Sequence, residues 1–400
     1  VTPDHDGHVS RPRFSPDGST LVYGRTEDPH FYADRIRLIQ LDPGTDEERD
    51  LTADLDLTPT GWSFDGDDLV FEIESDARQP VWRLRQDGST EEIARDGTLV
   101  GLAVVSPGRY VAVRSSIARP PELVTFGDGE VDRITTFTDA VAFDPPAVEE
   151  VRFTGARGDE VQMWVVTPPG GLEAPGPLAH LIHGGPHGAF TDAWQWRWHP
   201  AVFCGTDRRA ALVNFHGSTG WGQEFASSIR GEWGDMPAAD IDAATDRLIA
   251  DGIADPARVA ITGGSFGGYM VSWLIGQTDR YACAVAHAAV TSLPNMYASD
   301  ITSGRADSYG AEVWTDLDRV NRWSPAAHAA GYATPTLVIH GERDYRVPVG
   351  QGLEFYGVLR AKGVDARLVY YPDENHWILT PANSIHWYGE VREWLAGHGC

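Results

Sequence analysis

The sequence predicts two regions of different fold class: an all-β region over residues 1–145 and an α/β region over residues 146–400. Short, acidic strand patterns repeat through the first region, whereas buried strands alternate with helical patterns in the second. The change falls at FDPPAVEEVRF, residues 143–153. Four hundred residues suit two domains, and alternating strands and helices are typical of a parallel sheet covered on both faces.

The first region contains a repeat. FSPDGSTLVYG begins at Phe14, WSFDGDDLVFE begins at Trp62, and a weaker copy, VSPGRYVAVR, begins at Val105. Each copy has a serine, a turn and a strand pattern, and a period of about 40–50 residues predicts β-propeller blades. Three blades are fewer than a closed ring of about four to eight needs. We therefore expect a partial propeller, with blades upstream of the given sequence, a shortened domain or closure by a partner. An ordinary β-meander is the alternative.

The second region has six apolar strand candidates and three helical stretches. The strands are 178–183, 211–215, 258–263, 283–290, 335–341 and 366–372. The helices are 238–250, 266–277 and 350–362. Sites in open α/β sheets lie beyond the carboxyl ends of the strands, so we expect functional residues in the loops after these strands.

Ser265 lies in such a loop, within GGSFGGYM at residues 263–270. A strand pattern precedes this G-x-S-x-G motif and a helix pattern follows it, which is the context of a nucleophilic serine. The small neighbours allow a strained turn that projects Oγ, and the following helix offers free N–H groups to a developing oxyanion. A catalytically inert glycine turn is the alternative interpretation.

Asp344 and His376 follow Ser265 in the order that an α/β-hydrolase requires. Asp344 follows the strand in PTLVIHGERDYRVP, and His376 follows the strand in ARLVYYPDENHW. A helix or turn cap and a surface-loop histidine are the alternatives for these two residues. Competing carboxylates and histidines are less well placed, and His340 is expected to be structural; the competitors are Glu342, Asp373, Glu374, His386 and His398.

The loop HGGPHG, residues 183–188, supplies the second half of a predicted oxyanion hole. One donor is expected to be the Phe266 N–H, and the other an amide of Gly184 or Gly185. A plain glycine turn is the alternative. His183 and His187 lack a carboxylate or cysteine set at ligand spacing, so no metal site and no cofactor are predicted.

The composition restricts partners and location. There are 58 acidic and 32 basic residues, a net charge of −26, which disfavours binding to nucleic acid or to anionic membranes. No apolar run reaches the roughly 18–20 residues of a membrane span, and the N-terminus shows no signal-peptide pattern. Lys362 is the single lysine, and all other basic residues are arginines. Many carboxylates with almost no lysine indicate a high-salt cytoplasm. A GC-rich genome, which replaces lysine with arginine, is the alternative explanation. The three cysteines, at 204, 283 and 400, indicate neither disulfides nor a metal, which favours a reducing cytoplasm.

Together these motifs make the second region resemble the catalytic domain of the prolyl oligopeptidase family of serine peptidases, in its acylaminoacyl-peptidase and dipeptidyl-aminopeptidase-like branch. The matching stretches are HGGPHG, NFHGSTGWGQEF, GEWGDMPAADIDAATDRLIADG, DPARVAITGGSFGGYM, TPTLVIHGERDYRVP and ENHW. The resemblance implies an α/β-hydrolase fold behind a propeller that admits short peptides, with Ser265 as nucleophile, His376 as base and Asp344 as orienting acid.

The resemblance also implies that Arg346 binds a carbonyl or carboxylate of the peptide, which suits a guanidinium; a surface ion pair is the alternative. His216 stands where the family usually has arginine, which puts fine specificity in doubt. The predicted function is hydrolysis of short peptides through an acyl-enzyme. A carboxylesterase of the same fold and a catalytically silent propeller-based binding protein are the rivals. Both the cleavage position and a homo-oligomeric state stay open.

Overall fold

The computed structural model describes residues 5–127, 130–301 and 303–400. The chain divides into two compact units. The described residues up to Asp144, with the segments Ala189–Trp196 and Thr219–Ser227, form the first unit. The second unit consists of Pro145–Gly188, Arg197–Ser218 and the described residues from Ser228 to Cys400. The sequence placed a single boundary at residue 145 and assigned both short segments to the second region.

The first unit contains three antiparallel sheets, each with four strands in chain order. The first sheet is β1 (Val9–Phe14), β2 (Leu21–Arg25), β3 (Arg37–Asp42) and β4 (Glu47–Asp50). The second is β5 (Pro59–Asp65), β6 (Asp68–Ile73), β7 (Val81–Leu84) and β8 (Thr90–Ala94). The third is β9 (Thr98–Ser106), β10 (Arg109–Ser116), β11 (Arg119–Phe126) and β12 (Val131–Arg133). Successive four-stranded meanders of this kind are propeller blades, so the unit is a partial β-propeller.

The three sequence repeats are the first hairpins of the three blades. Each repeat spans the turn that joins the first and second strands, β1–β2, β5–β6 and β9–β10. In the first copy the turn is closed by Asp17, whose carboxylate accepts hydrogen bonds from the Ser15 hydroxyl (2.6 Å) and the Ser19 amide (3.0 Å). The repeat was visible in the sequence because a serine followed by a positive-φ turn glycine (Gly18, Gly66 and Gly108) recurs in all three hairpins.

Apolar side chains of neighbouring blades pack together. One cluster contains residues from the first and second blades, and another contains residues from the second and third. The first consists of Val22, Leu38, Trp62, Leu69, Phe71, Ile73 and Leu84. The second consists of Val70, Val81, Ala94, Leu99, Tyr110, Ala112, Val124 and Phe126. Each blade therefore buries its apolar face against the next.

Polar contacts attach the two short segments to the first unit. The Asp192 amide donates to the Ala77 carbonyl (2.7 Å), and the Asp192 carboxylate accepts from the Ile117 amide (2.8 Å). Gln223 accepts a hydrogen bond from the Arg35 amide (2.9 Å). The sequence shows no composition change at these loops, and such long-range contacts leave no local signal.

The second unit is built on one eight-stranded sheet in the order β13-β14-β16-β15-β17-β18-β19-β20. Its strands are β13 (Ala147–Thr154), β14 (Glu160–Thr167), β15 (Gly176–Ile182), β16 (Arg209–Asn214), β17 (Ala254–Gly264), β18 (Cys283–His287), β19 (Thr336–Gly341) and β20 (Ala366–Tyr371). The last six are parallel and correspond to the six predicted strands. β13 pairs antiparallel with β14, which also pairs antiparallel with β16. Neither was predicted: edge strand β13 has no continuous apolar run, whereas β14 is buried over most of its length and was missed.

The helices are α1 (Pro200–Cys204), α2 (Gln223–Ser227), α3 (Met236–Ala250), α4 (Phe266–Gln277), α5 (Arg305–Tyr309), α6 (Leu317–Arg322), α7 (Gly350–Ala361) and α8 (Pro381–Gly397). Of these, α2 belongs to the first unit. The predicted helices match α3, α4 and α7 within two residues. This is the α/β-hydrolase fold. Over the described ranges, no helix is both long and apolar enough to cross a membrane. The three cysteines are buried and free of disulfide bonds.

Candidate active site

Ser265 occupies a sharp turn between β17 and α4. Its φ and ψ angles are 60° and −119°, a strained conformation for a residue with a side chain. The glycines on either side allow neighbouring backbone to approach. A Cβ on Gly267 would lie 2.0 Å from the Ile182 oxygen, and one on Gly263 would lie 2.3 Å from the Gly267 oxygen. The turn leaves Ser265 partly exposed at the carboxyl end of the sheet.

Asp344 and His376 lie in the loops after the adjacent strands β19 and β20. The Nδ1 of His376 is 2.8 Å from Oδ2 of Asp344. Since a carboxylate only accepts hydrogen bonds, Nδ1 carries the proton and Nε2 keeps its lone pair. This is the tautomer that a general base needs.

Asp344 is held by several donors besides His376. Its Oδ1 accepts from the backbone amides of Arg346 (2.9 Å) and Val347 (2.8 Å), and its Oδ2 lies 3.3 Å from Nε2 of His340. Burial by itself would raise the pKa of Asp344, but hydrogen bonds from His340 and His376 outweigh it and hold that pKa well below its usual range. His340, expected to be structural, thus also contacts the acid.

The competing residues have other partners or face solvent. Glu342 and Asp373 are exposed. Glu374 is buried, and its carboxylate accepts from the amides of Leu379 and Thr380 (3.0 Å each), so it shapes the loop that carries His376. The two remaining histidines bind elsewhere: His386 contacts the Tyr371 hydroxyl at 2.9 Å, and His398 contacts the Trp394 carbonyl at 2.8 Å.

The predicted oxyanion loop lies beside Ser265. A Cβ placed on Gly184 would be 3.2 Å from Cβ of Ser265 and 3.8 Å from its Oγ. Gly185 follows, exposed and with a φ of 132° that favours glycine. Phe266 is the first residue of α4, so its N–H has no acceptor within the helix. Gly184 and the N–H of Phe266 therefore lie near Ser265, on two different segments.

His183 holds this loop. Its ring stacks on Phe215 with centroids 4.2 Å apart, Nδ1 donates to the Gly184 carbonyl (2.9 Å), and Nε2 lies 2.9 Å from the Ser218 hydroxyl. Burial lowers the pKa of His183 to about 4, so the ring stays neutral. Nδ1 of His187 contacts the Gly217 carbonyl (2.9 Å). Within the described part of the chain, no three His, Cys, Asp or Glu side chains cluster as metal ligands.

Two arginines, Arg346 and Arg197, and the aromatic residue Trp377 lie around Asp344 and His376. Nε of Arg346 lies 3.2 Å from Oδ1 of Asp300, and both side chains are nearly half exposed. The Trp377 ring meets the His376 ring edge-on at 4.7 Å, and the Arg197 guanidinium lies 3.7 Å above Trp377. The sequence analysis missed Trp377 and Arg197, although Trp377 lies next to the predicted base.

His216 is fully buried, and its ring contacts two carboxylates. Its Nδ1 is 2.7 Å from Asp240 and its Nε2 is 3.0 Å from Asp159. Burial lowers the pKa of His216, but the hydrogen bond and charge of Asp240 outweigh it and raise that pKa overall. These contacts give His216 a structural role joining β16 to α3, whereas the sequence raised it as a question of specificity.

The sequence of this part of the chain matches a protein-family model. The model of the prolyl oligopeptidase family matches residues 194–399, just over half of the chain. The chain belongs to the prolyl oligopeptidase family. The match includes the turn of Ser265 and the loops of Asp344 and His376.

Individual relatives agree with this assignment. Dipeptidyl-peptidase 5 of Schizosaccharomyces pombe is 28% identical over 404 residues, which are 97% of this chain and 59% of that protein. Probable dipeptidyl-peptidase 5 of Aspergillus clavatus is 29% identical over 97% of this chain and 56% of its own length. The chain therefore spans less than two thirds of these curated relatives.

Solved structures share the fold. The acylaminoacyl peptidase of Pyrococcus horikoshii superposes with a TM-score of 0.85 at 21% identity, covering 96% of this chain and 62% of that one. A puromycin-hydrolyzing peptidase of Mycobacterium tuberculosis gives 0.80 at 20% identity, covering 98% and 62%. At these identities the likeness establishes the architecture of partial propeller and α/β-hydrolase.

Proposed function

We propose that the protein is a serine peptidase that hydrolyses short peptides through Ser265, His376 and Asp344. The observation that carries the proposal is the His376–Asp344 hydrogen bond at 2.8 Å, formed in the loops beside a serine held in a positive-φ turn. Membership of the prolyl oligopeptidase family supports it. The three residues supply a nucleophile, a base and an orienting acid.

In the proposed reaction, Oγ of Ser265 attacks the scissile carbonyl while Nε2 of His376 accepts its proton. The N–H of Phe266 and an amide of Gly184 or Gly185 stabilise the oxyanion, an interaction worth about 10²–10³ in rate per donor. His376 then protonates the leaving amine, and water attacks the acyl-enzyme with His376 again as base. Asp344 stays ionised throughout and stabilises the imidazolium, which agrees with its lowered pKa.

The substrate class is part of the same proposal. Two curated relatives carry the name dipeptidyl-peptidase 5, which favours release of dipeptides from a free N-terminus over removal of acylated residues. We further propose that Arg346, whose guanidinium is nearly half exposed beside the acid loop, binds a carbonyl or carboxylate of the peptide.

The direct test compares three chromogenic substrates: a dipeptidyl anilide with a free amine, an N-acylated aminoacyl anilide and a short acyl ester. Hydrolysis of the dipeptidyl anilide, abolished in Ser265→Ala, is the expected result. Activity on the ester alone would contradict the peptidase proposal in favour of an esterase. Digestion of a short-peptide library with blocked and free N-termini, analysed by mass spectrometry, then reports the bond cleaved and the length limit.

We also propose that the protein works in a cytoplasm of high salt. The net charge of −26 and the single lysine support this, because dense carboxylates repel each other unless salt screens them. Melting temperatures in about 0.1 M and about 2 M KCl test the idea, since the Debye length falls from about 10 Å to below 3 Å over that range. A clear rise is expected, and an unchanged or lower melting temperature would contradict it.

A further inference from the structure

His287, the last residue of β18, contacts both the nucleophile turn and the loop of the base. Its side chain is 4% exposed, and the proposed reaction assigns it no step. We infer that His287 is a positioning residue that fixes the backbone of Ser265 and the backbone of His376 relative to each other. The inference rests on the proposed function of that site.

The carbonyl of His287 holds the nucleophile. It accepts a hydrogen bond from the Ser265 amide at 2.9 Å, directly beyond the point where Gly264 of β17 pairs with His287 of β18. A Cβ on Gly268 would lie 2.8 Å from the same carbonyl oxygen, so the first turn of α4 also packs against it. The strained backbone of Ser265 is thus tied to a central strand of the sheet.

The ring of His287 holds the base. Its Nε2 lies 3.2 Å from the backbone oxygen of His376, and Nε1 of Trp387 lies 3.3 Å from its Nδ1. An indole N–H only donates and a carbonyl only accepts, so His287 must carry its proton on Nε2. Trp387, on α8, therefore selects the tautomer that can donate to His376.

The environment keeps this arrangement intact. Burial lowers the pKa of His287 to about 3, so the ring remains neutral with one donor and one acceptor at neutral pH. A protonated ring would place a donor against the Trp387 N–H and lose that hydrogen bond. Rings of Trp198 and Trp387 meet His287 edge-on at 6.0 Å and 5.9 Å and confine its orientation.

The consequence concerns catalytic geometry. Proton transfer requires Oγ of Ser265 and Nε2 of His376 to meet at hydrogen-bond distance. The two residues are 111 positions apart in the chain, and His287 binds the backbone of both. Since a displacement of about 1 Å can cost about 10² in rate, loss of the ring contact should lower kcat while leaving KM almost unchanged.

The test uses the full chain with His287→Ala, His287→Gln, Trp387→Phe and, as a matched control, His180→Ala. Glutamine offers one amide donor and one carbonyl acceptor and can replace both ring contacts. His180 is equally buried, but its Nε2 contacts the Thr245 hydroxyl (2.9 Å) rather than the site. Peptide kcat and KM, the rate of fluorophosphonate labelling and thermal melting are measured for each.

We expect H287A to lower kcat and the labelling rate about 10- to 100-fold at unchanged KM. H287Q should recover most of this loss, W387F should lose several-fold, and H180A should keep its kcat despite reduced stability. Labelling of H287A at the wild-type rate, or an equal loss of kcat in H287Q and H287A, would overturn this inference. Neither result would affect the proposed function. If H287A does not fold, the other two variants decide. A wild-type kcat in W387F, or a kcat at least 10-fold below wild type in folded H287Q, overturns the inference. A wild-type chain that does not label overturns the proposed function itself.

Discussion

Asp344→Asn is the substitution whose effect follows most directly from the hydrogen bonds of the site. Oδ1 of Asp344 accepts the amides of Arg346 and Val347 at 2.9 and 2.8 Å, so the asparagine oxygen must occupy that position. The NH₂ group then replaces Oδ2 and faces Nδ1 of His376 at 2.8 Å. Two donors cannot face each other, so His376 must move its proton to Nε2.

A histidine protonated on Nε2 cannot accept the proton of Ser265. We therefore expect Asp344→Asn to lower kcat by about 10⁴, the cost of the wrong tautomer in a serine peptidase triad, or about 5.4 kcal/mol of transition-state stabilisation. KM should change little, because Asp344 lies behind His376 and does not contact the peptide in the proposed reaction. The rates of anilide hydrolysis and of fluorophosphonate labelling measure the loss.

Glu342→Gln is the matched control, because Glu342 lies two residues earlier in the same loop and is exposed. It should keep kcat within about twofold, since surface substitutions are nearly neutral. Thermal melting confirms that both variants fold. A folded Asp344→Asn protein that retains more than a tenth of the wild-type kcat would refute the assignment of Asp344 as the orienting acid.

Three further predictions concern the oxyanion loop, the peptide-binding arginine and the buried histidine. Gly184→Ala should lower kcat about 10²-fold by crowding the oxyanion beside Ser265, whereas Gly188→Ala, with no atom closer than 3.9 Å to the new Cβ, should not; equal rates would contradict this. Arg346→Ala should raise KM for peptides at unchanged kcat, and an unchanged KM would exclude a role in binding. The pKa of His216 is raised, so its contribution to the free energy of unfolding is complete below about 6.5 and is lost as pH rises through the folded value. Urea unfolding should show that His216→Gln destabilises more at pH 6 than at pH 9, and a constant difference would contradict the charged pair.

The propeller repeats and the parallel strands could be predicted because their signals are local. A serine and a positive-φ glycine recur at the first hairpin of each blade, in the turns of Gly18, Gly66 and Gly108. The parallel strands inside the sheet, such as β15, β16 and β18, are buried along their whole length and hence read as apolar runs. Edge strand β13 (Ala147–Thr154) alternates exposed and half-buried residues, so the sequence offered no such run. The segments at 189–196 and 219–227 join the first unit through long-range hydrogen bonds, such as those of Asp192 and Gln223, which periodicity cannot reveal.

In the candidate site, too, local signals could be predicted from the sequence and long-range contacts could not. Ser265, Asp344 and His376 could be predicted as catalytic residues because each follows a strand in a fixed chain order. The contacts of His287 and His340 could not be found in this way, since both histidines lie within strands and appear as ordinary core residues. Their roles depend on which loops the sheet order brings beside them, and β18 pairs with both β17 and β19. Only the folded chain supplies that information.

Covalent labelling tests whether Ser265 is an activated nucleophile. The intact protein is treated with a fluorophosphonate, digested and mapped by mass spectrometry, alongside Ser265→Ala. We expect one modified site, at Ser265, and no labelling of the alanine variant. Labelling at a different residue, or undiminished labelling of Ser265→Ala, would contradict it.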